Sequence, residues 1–233
     1  MITDERTAAF IESIGCSNTP YLEELERITR ADDIPMIRKS SQSLIRFVLA
    51  DIRPASILEI GTATGFSAIF MAEYAPSAHI DTIENYEKRI KIAKKNIADA
   101  GFEDRINLIE GDAQPVIEEL AEKKRSYDMI FVDAAKAQYI SYFPVCKKML
   151  RDGGVLLCDN VLFDGDIVLS RFAVRRRDRT IHARMREFLR TLSEDEEMVT
   201  TILPIGDGMT LSVKNVDRRS ISGEQINECD EET

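Results

Sequence analysis

Histidine and cysteine are scarce in this chain, two and four among 233 residues, and their scarcity closes off several chemistries at once. His79 and His182 are too few and too far apart to suggest a nucleophile–histidine–acid triad, and His79, just ahead of a strand pattern, reads as a surface residue. Cys16, Cys146, Cys158 and Cys229 stand at wide spacings with no C-x-x-C pair, so neither a zinc site nor a disulfide framework is suggested and the thiols read as reduced. No apolar run approaches the roughly 20 residues a membrane span requires. The start, Met1-Ile-Thr-Asp-Glu-Arg6, lacks the basic region and apolar stretch of a secretory signal. The chain is therefore expected in the cytoplasm and away from membranes. No internal repeat is visible.

What is present is ordinary for one folded unit, with 44% hydrophobic and 31% charged residues in a length that a single core can organise. One domain is expected over residues 1–215, with helices of residues 1–53 packing on it and an acidic, frayed tail over 216–233. The net charge of −10 argues against a protein that coats nucleic acid. That charge is unevenly placed. Between residues 171 and 190 eight arginines face only Asp178 and Glu187, a local excess of +6.

From Ile57 onward, short β-branched runs at 57–60, 80–84, 106–110, 129–133 and 155–159 alternate with amphipathic stretches at 67–74, 86–100, 113–124 and 137–150. Such alternation predicts an α/β fold with a parallel sheet covered by helices on both faces. Ile90, Ala93 and Ile97 recur at helical spacing, and Gly101 is expected to close that helix. After the fifth strand, 161–166 reads as loop and 180–192 as an Arg-rich helix. Two strands at 199–203 and 209–213 then flank Pro204-Ile-Gly-Asp-Gly208 as an antiparallel hairpin. Within residues 1–53, Pro35 marks a break between helical segments.

Ligands of an open parallel sheet bind beyond the carboxyl ends of its strands, and here acids stand at those ends: Glu59, Glu84, Asp112, Asp133 and Asp159. Buried carboxylates need partners, so their recurrence points to a shared polar site. The loop Gly61-Thr-Ala-Thr-Gly65-Phe-Ser67 has glycines where backbone must bend or approach a ligand, although the same loop could be turn chemistry alone. Ala63 and Phe66 depart from the dinucleotide G-x-G-x-x-G pattern, which weakens an NAD reading. Glu84 ends the second strand, where an acid can accept from both ribose hydroxyls of an adenosine ligand. Asp112 could accept from an adenine amine while small Ala113 leaves room for the ring; alternatively, Asp112 caps the helix running through Pro115.

Leu58-Glu-Ile-Gly-Thr-Ala-Thr-Gly-Phe-Ser67, Glu84, Gly111-Asp-Ala113, Phe131-Val-Asp-Ala-Ala-Lys136 and Asp159-Asn-Val161 together resemble the metal-dependent O-methyltransferases related to catechol and caffeoyl-coenzyme A O-methyltransferases. The resemblance spans nearly the whole chain. It implies the class I methyltransferase, Rossmann-like fold: a doubly wound, mostly parallel seven-stranded sheet with a C-terminal antiparallel hairpin and extra N-terminal helices. It also implies a homodimer, and contacts to S-adenosylmethionine from Ile37, Ser67, Glu84, Asp112, Ala113 and Asp133, with Gly61 in the same loop. Leu157-Cys-Asp-Asn-Val-Leu-Phe163, Arg175-Arg-Arg-Asp-Arg-Thr180 and Pro204-Ile-Gly-Asp-Gly208 resemble the bacterial tRNA 5-hydroxyuridine methyltransferases, which act on the wobble uridine.

Asp133, Asp159 and Asn160 offer hard oxygen donors suited to Mg²⁺, Mn²⁺ or Ca²⁺, with Mg²⁺ the expected ion. Three protein oxygens on an octahedral ion leave about three positions for water and substrate oxygens. An acceptor with two adjacent oxygens, a catechol or 5-hydroxyuridine, could chelate there. Lys136 is a candidate to take the acceptor proton or to pair with its oxyanion. The alternatives are a helix-capping Asp133, an Asx turn at Asp159-Asn160 and a solvated Lys136.

The Arg-rich stretch decides between acceptors. Arg175, Arg176, Arg177, Arg179 and Arg184 could hold the phosphates of a tRNA anticodon loop, and the resemblance to the tRNA 5-hydroxyuridine methyltransferases makes the tRNA wobble 5-hydroxyuridine the expected substrate. A small catechol-like or caffeoyl-coenzyme A-like hydroxyl acceptor is the alternative. So is a plain solvated helix face paired with Glu194-Asp-Glu-Glu197, or a dimer contact.

Overall fold

The computed structural model of the chain describes residues 5–32 and 34–214, with Glu5 and Asp164 described in the backbone alone. The expected tail over 216–233 lies outside the described residues. Seven strands form one sheet: β1 (Ser56–Ile60), β2 (His79–Glu84), β3 (Ile106–Glu110), β4 (Tyr127–Val132), β5 (Leu150–Cys158), β6 (Met198–Leu203) and β7 (Met209–Lys214). Their order is β3-β2-β1-β4-β5-β7-β6. The first five strands pair in parallel, and β7 runs antiparallel to both β5 and β6. This is the doubly wound sheet with a terminal hairpin that the alternation predicts. The chain turns back between β1 and β4, and that switch point opens a crevice at their carboxyl ends.

Helices α1 (Glu5–Ile14), α2 (Pro20–Ala31), α3 (Lys39–Ile52), α4 (Phe66–Tyr74) and α5 (Glu87–Asp99) come first along the chain. Leu22, Ile45, Phe70 and Ile97, from α2 to α5, form a core with the strand residues Ile57, Met129 and Phe131. On the opposite face lie α6 (Ala113–Glu122), α7 (Tyr139–Met149) and α8 (Arg179–Glu194). There Ile117, Phe143, Met185 and Phe188 pack with Leu58, Ile60 and Ile130. A strand covered on both faces has no wet side, which is why β1 and β4 are mainly apolar without alternating, Glu59 being the exception within β1. Among the described residues, no helix is long and apolar enough to cross a membrane.

Local chemistry sets the ends of these elements. The Gly101 N–H bonds the Ala98 carbonyl at 2.9 Å and the Phe102 N–H the Ile97 carbonyl at 3.1 Å, with Gly101 at φ 72°; α5 thus ends in a Schellman motif, as its glycine foretells. Three expectations shift. Strand β5 begins five residues early, at Leu150 rather than Val155, with a register break opposite Tyr127 and Met129. The expected first turn of α7 is instead a tighter 3₁₀ turn, Lys136–Gln138. A second such turn, Phe163–Val168, occupies most of the expected loop.

Candidate active site

The carboxyl ends of β1 to β5 converge on one cavity of about 840 Å³. Ile37, Gly61, Ser67, Glu84, Asp112, Ala113, Asp133, Lys136 and Asn160 all line it. Asp159 stands just behind the wall, 3% exposed. The residues expected from five separate strand ends are therefore brought together.

The floor on the β1 side is the 61–65 loop. Gly61 has φ 106°, and a Cβ there would collide with the Asp133 carbonyl oxygen, so glycine alone lets β1 and β4 end this close. Both the Gly61 and Thr62 N–H groups donate to the Ile83 carbonyl at 3.1 Å, which ties the loop to β2. The Glu84 carboxylate is fixed in turn by the backbone N–H groups of Ala63 at 2.9 Å and of Asn85 and Tyr86 at 3.0 Å. It is a rigid acceptor at the cavity wall. Asp112 occupies the N-cap position of α6, yet its side chain makes no cap bond. Instead it accepts from the Asn85 amide at 2.6 Å, on the cavity side.

The metal candidates are aligned by ladder bonds that continue past the strands: Asp133 N–H to the Ile60 carbonyl at 3.0 Å and Asp159 N–H to the Val132 carbonyl at 2.9 Å. Asn160, left-handed at φ 62°, donates its side-chain amide to Asp133 Oδ1 at 2.7 Å and its backbone N–H to Asp159 Oδ1 at 2.7 Å. An Asx turn would bond a residue two positions on, and no such bond forms. Nor does Asp133 cap the following turn, whose N-cap position is Ala135. Burial pushes both carboxyl groups up from the usual range, and for Asp159 the neighbouring Asp133 charge adds to it. Two carboxylates crowded in a low-dielectric site are relieved by a cation, and rotation of the Asn160 amide would supply a third oxygen. The donor set therefore fits a hard divalent ion. Among the described residues no group of three His, Cys, Asp or Glu side chains is set to hold a metal, so the site depends on the Asn160 amide.

Lys136 opens the 3₁₀ turn after β4, half-buried, with its ammonium 4.9 Å from the centre of the Phe163 ring. It is held at the cavity rather than dangling in solvent. One neighbour of the site lacked a sequence signal. Phe163, strained at φ 50°, lies three residues beyond Asn160 and is recognisable only by its contact with Lys136. Glu59 is fully buried beneath the 61–65 loop and accepts from the Thr82 hydroxyl at 2.5 Å, while its Oε1 has no hydrogen-bond partner. Burial, against the opposing effect of the nearby Ser67 and Thr82 hydroxyls, pushes its carboxyl up to about 7. The acid expected at the end of β1 thus lies beneath the cavity and does not line it.

None of the five arginine candidates lines the cavity. Arg184 donates to the Ala137 carbonyl at 3.2 Å, one residue from Lys136. Arg179 donates to the Val174 carbonyl at 3.3 Å and folds its own connection. Arg175 and Arg177 face Asp178 at 3.5 and 3.7 Å while staying about three-quarters exposed, and Arg176 is exposed between them. Two of the acids expected to neutralise this stretch are engaged elsewhere: Asp195 and Glu197 pair with Lys147 at 2.9 and 2.5 Å.

Comparison with known proteins gives consistent matches. The profile of a family described as O-methyltransferase matches residues 12–215. Caffeoyl-CoA O-methyltransferase 1 of Eucalyptus globulus is 31% identical over 200 residues, covering 82% of this chain and 80% of that protein. Catechol O-methyltransferase of Mycobacterium tuberculosis is 31% identical over 163 residues, 69% of this chain and 73% of that one. The solved structure of Podospora anserina methyltransferase PaMTH1 with SAH bound superposes with a TM-score of 0.81 at 28% identity, covering 91% of this chain and 95% of that chain.

Proposed function

The chain belongs to the O-methyltransferase family matched over residues 12–215, and from that premise we propose that it transfers the methyl group of S-adenosylmethionine to one of two adjacent oxygens on a catechol-like or caffeoyl-CoA-like acceptor, aided by Mg²⁺. The observation that carries this reading is the convergence of Asp133, Asp159 and Asn160 beside Lys136 on the cavity that also holds Glu84 and Asp112. The similarity to caffeoyl-CoA and catechol O-methyltransferases supports the acceptor class.

In this reading Glu84 takes the ribose hydroxyls of the donor, Asp112 its adenine amine, and Ile37 and Ala113 pack the base. Ser67 and the Gly61 loop receive its amino-acid end. Asp133, Asp159 and Asn160 would hold the divalent ion, which when bound favours the deprotonated acceptor oxygen and fixes its orientation. Lys136, beside Phe163, has one of two roles: to take the acceptor's proton or to pair with the oxyanion left when that proton goes elsewhere. The Asn160 side-chain oxygen would be the third donor, its amide nitrogen now donating to Asp133.

A second reading, the wobble 5-hydroxyuridine of tRNA, is favoured by one observation: Arg175, Arg176 and Arg177 lie exposed on the connection that leaves the metal turn. Phosphates of an anticodon backbone match such guanidinium groups. Incubation with methyl-labelled S-adenosylmethionine and Mg²⁺ beside catechol, caffeoyl-CoA and tRNA carrying 5-hydroxyuridine separates the readings. Label on either small acceptor is the expected result. Label confined to tRNA would replace the first reading by the second, and label on none would remove both.

A further inference from the structure

Pro35, Met36 and Ile37 form one wall of the cavity on the segment that joins α2 to α3. Ile37 is buried, and its carbonyl accepts from the Gln42 amide at 3.2 Å, so this wall is anchored on α3. The next residue, Arg38, reaches the chain between β6 and β7, where its guanidinium stands 2.6 Å from an Asp207 carboxylate oxygen. Asp207 lies in the 204–208 turn between β6 and β7.

That turn is bonded to the chain just beyond the metal candidates. The Leu162 N–H donates to the Asp207 carbonyl and the Val161 N–H to the Gly208 carbonyl, both at 2.9 Å. Gly208 matters here because a Cβ would collide with the Leu162 side chain. Gly206 matters likewise, since a Cβ there would stand 2.8 Å from the Ser41 hydroxyl and 3.6 Å from Arg38 Cδ. A continuous path of contacts thus runs from Ile37 through Arg38 and Asp207 to Val161, and so to Asn160 and Asp159.

We propose that the Arg38–Asp207 ion pair is a positioning device that couples the 34–38 wall of the cavity to the Asp159-Asn160 turn, so that each side binds its ligand more tightly when the other is occupied. Neither side chain touches reacting atoms; Arg38 acts through Ile37 and Asp207 through Val161 and Leu162. The pair is part-shielded, with side-chain exposures of 38% and 16%, so water and salt do not fully screen it. Coupling of this kind is reciprocal by thermodynamic necessity. The metal side of the device rests on the reading given under Proposed function.

Isothermal titration of SAH into the full chain, with and without Mg²⁺, tests it. In the unaltered protein Mg²⁺ should tighten SAH binding about fivefold or more, the lower end of typical coupling. Arg38→Ala should bind SAH several-fold more weakly even without Mg²⁺, and its response to Mg²⁺ should fall to about none. Arg38→Lys, which keeps the charge, should recover most of both. Asp207→Asn should reproduce the alanine phenotype, and Arg38→Ala with Asp207→Asn should be no worse than either alone, the mark of one shared interaction. Circular dichroism melts check folding, and should Arg38→Ala fail to fold, the Lys and Asn variants carry the test. Wild-type affinity and Mg²⁺ response in Arg38→Ala or Asp207→Asn would overturn the proposal. An unaltered protein whose SAH affinity ignores bound Mg²⁺ would overturn it too. If Mg²⁺ itself produces no binding heat, the metal assignment falls with the coupling, whereas a coupling failure alone leaves the metal assignment standing.

Discussion

A methyl group added at Gly61 has nowhere to go, because the Asp133 carbonyl already fills that space and the backbone sits at φ 106°. Gly61→Ala is expected to cost about 3 kcal/mol, within the range for strained special-φ positions, read as a lower midpoint in thermal denaturation. An unchanged midpoint would mean the loop can move aside. Glu59 makes a different prediction. Its carboxyl is raised from 4.5 to about 7 by burial, so the folded chain holds this proton at pH values where the unfolded chain has released it. For a raised acid the stabilising contribution is complete below the unfolded value and is lost as pH rises through the folded one, on the order of 3 kcal/mol in all. Ligand-free protein should lose stability from about pH 5 to pH 8, and Glu59→Gln should flatten that slope. An equal slope in both proteins would assign the effect to other groups. Asp133, Asp159 and Asn160 were legible because strand ends can be counted along the chain. Phe163, Arg38 and Asp207 were not, since each acquires meaning only from a partner distant in sequence or across a turn.

At the scale of elements, the apolar runs of β1 and β4 and the glycine end of α5 could be read directly, since burial on two faces and a left-handed cap leave local marks. The early start of β5 could not. Arg151, Asp152 and Gly153 are polar or flexible residues that fall in the register break between the Tyr127–Leu150 and Met129–Val155 pairs, where no alternation marks a strand. The 3₁₀ turns at Lys136–Gln138 and Phe163–Val168 were equally hidden, being shaped by packing around the cavity rather than by periodicity. The connection before α8 carries a prediction of its own. Arg175, Arg176 and Arg177 are exposed, so replacing all three by alanine should leave the melting temperature within about 2 °C, since such surface positions contribute little to stability. If the natural acceptor bears phosphate, the same variant should raise the acceptor KM, most strongly at low salt. A KM that does not change for caffeoyl-CoA or tRNA would leave this stretch as a solvated surface.

The whole molecule is a mostly parallel sheet whose carboxyl ends gather acids from β2 through β5 around one crevice, and whose antiparallel hairpin returns to bond the chain just beyond Asn160. Alternation along the chain revealed the sheet and its helices, but the order β3-β2-β1-β4-β5-β7-β6 follows from three-dimensional packing and leaves no local mark in the sequence. The central claim is that Asp133, Asp159 and Asn160 hold an ion that selects an acceptor with paired oxygens. The most direct test measures methyl transfer from S-adenosylmethionine to matched acceptors with two adjacent hydroxyls or one, in EDTA and after Mg²⁺ is restored, for the unaltered protein and Asp159→Ala. Transfer should occur only to the paired-oxygen acceptor and only with Mg²⁺, and Asp159→Ala should lose it while still binding SAH. Equal transfer to both acceptors in EDTA, or full turnover by Asp159→Ala, would contradict the account.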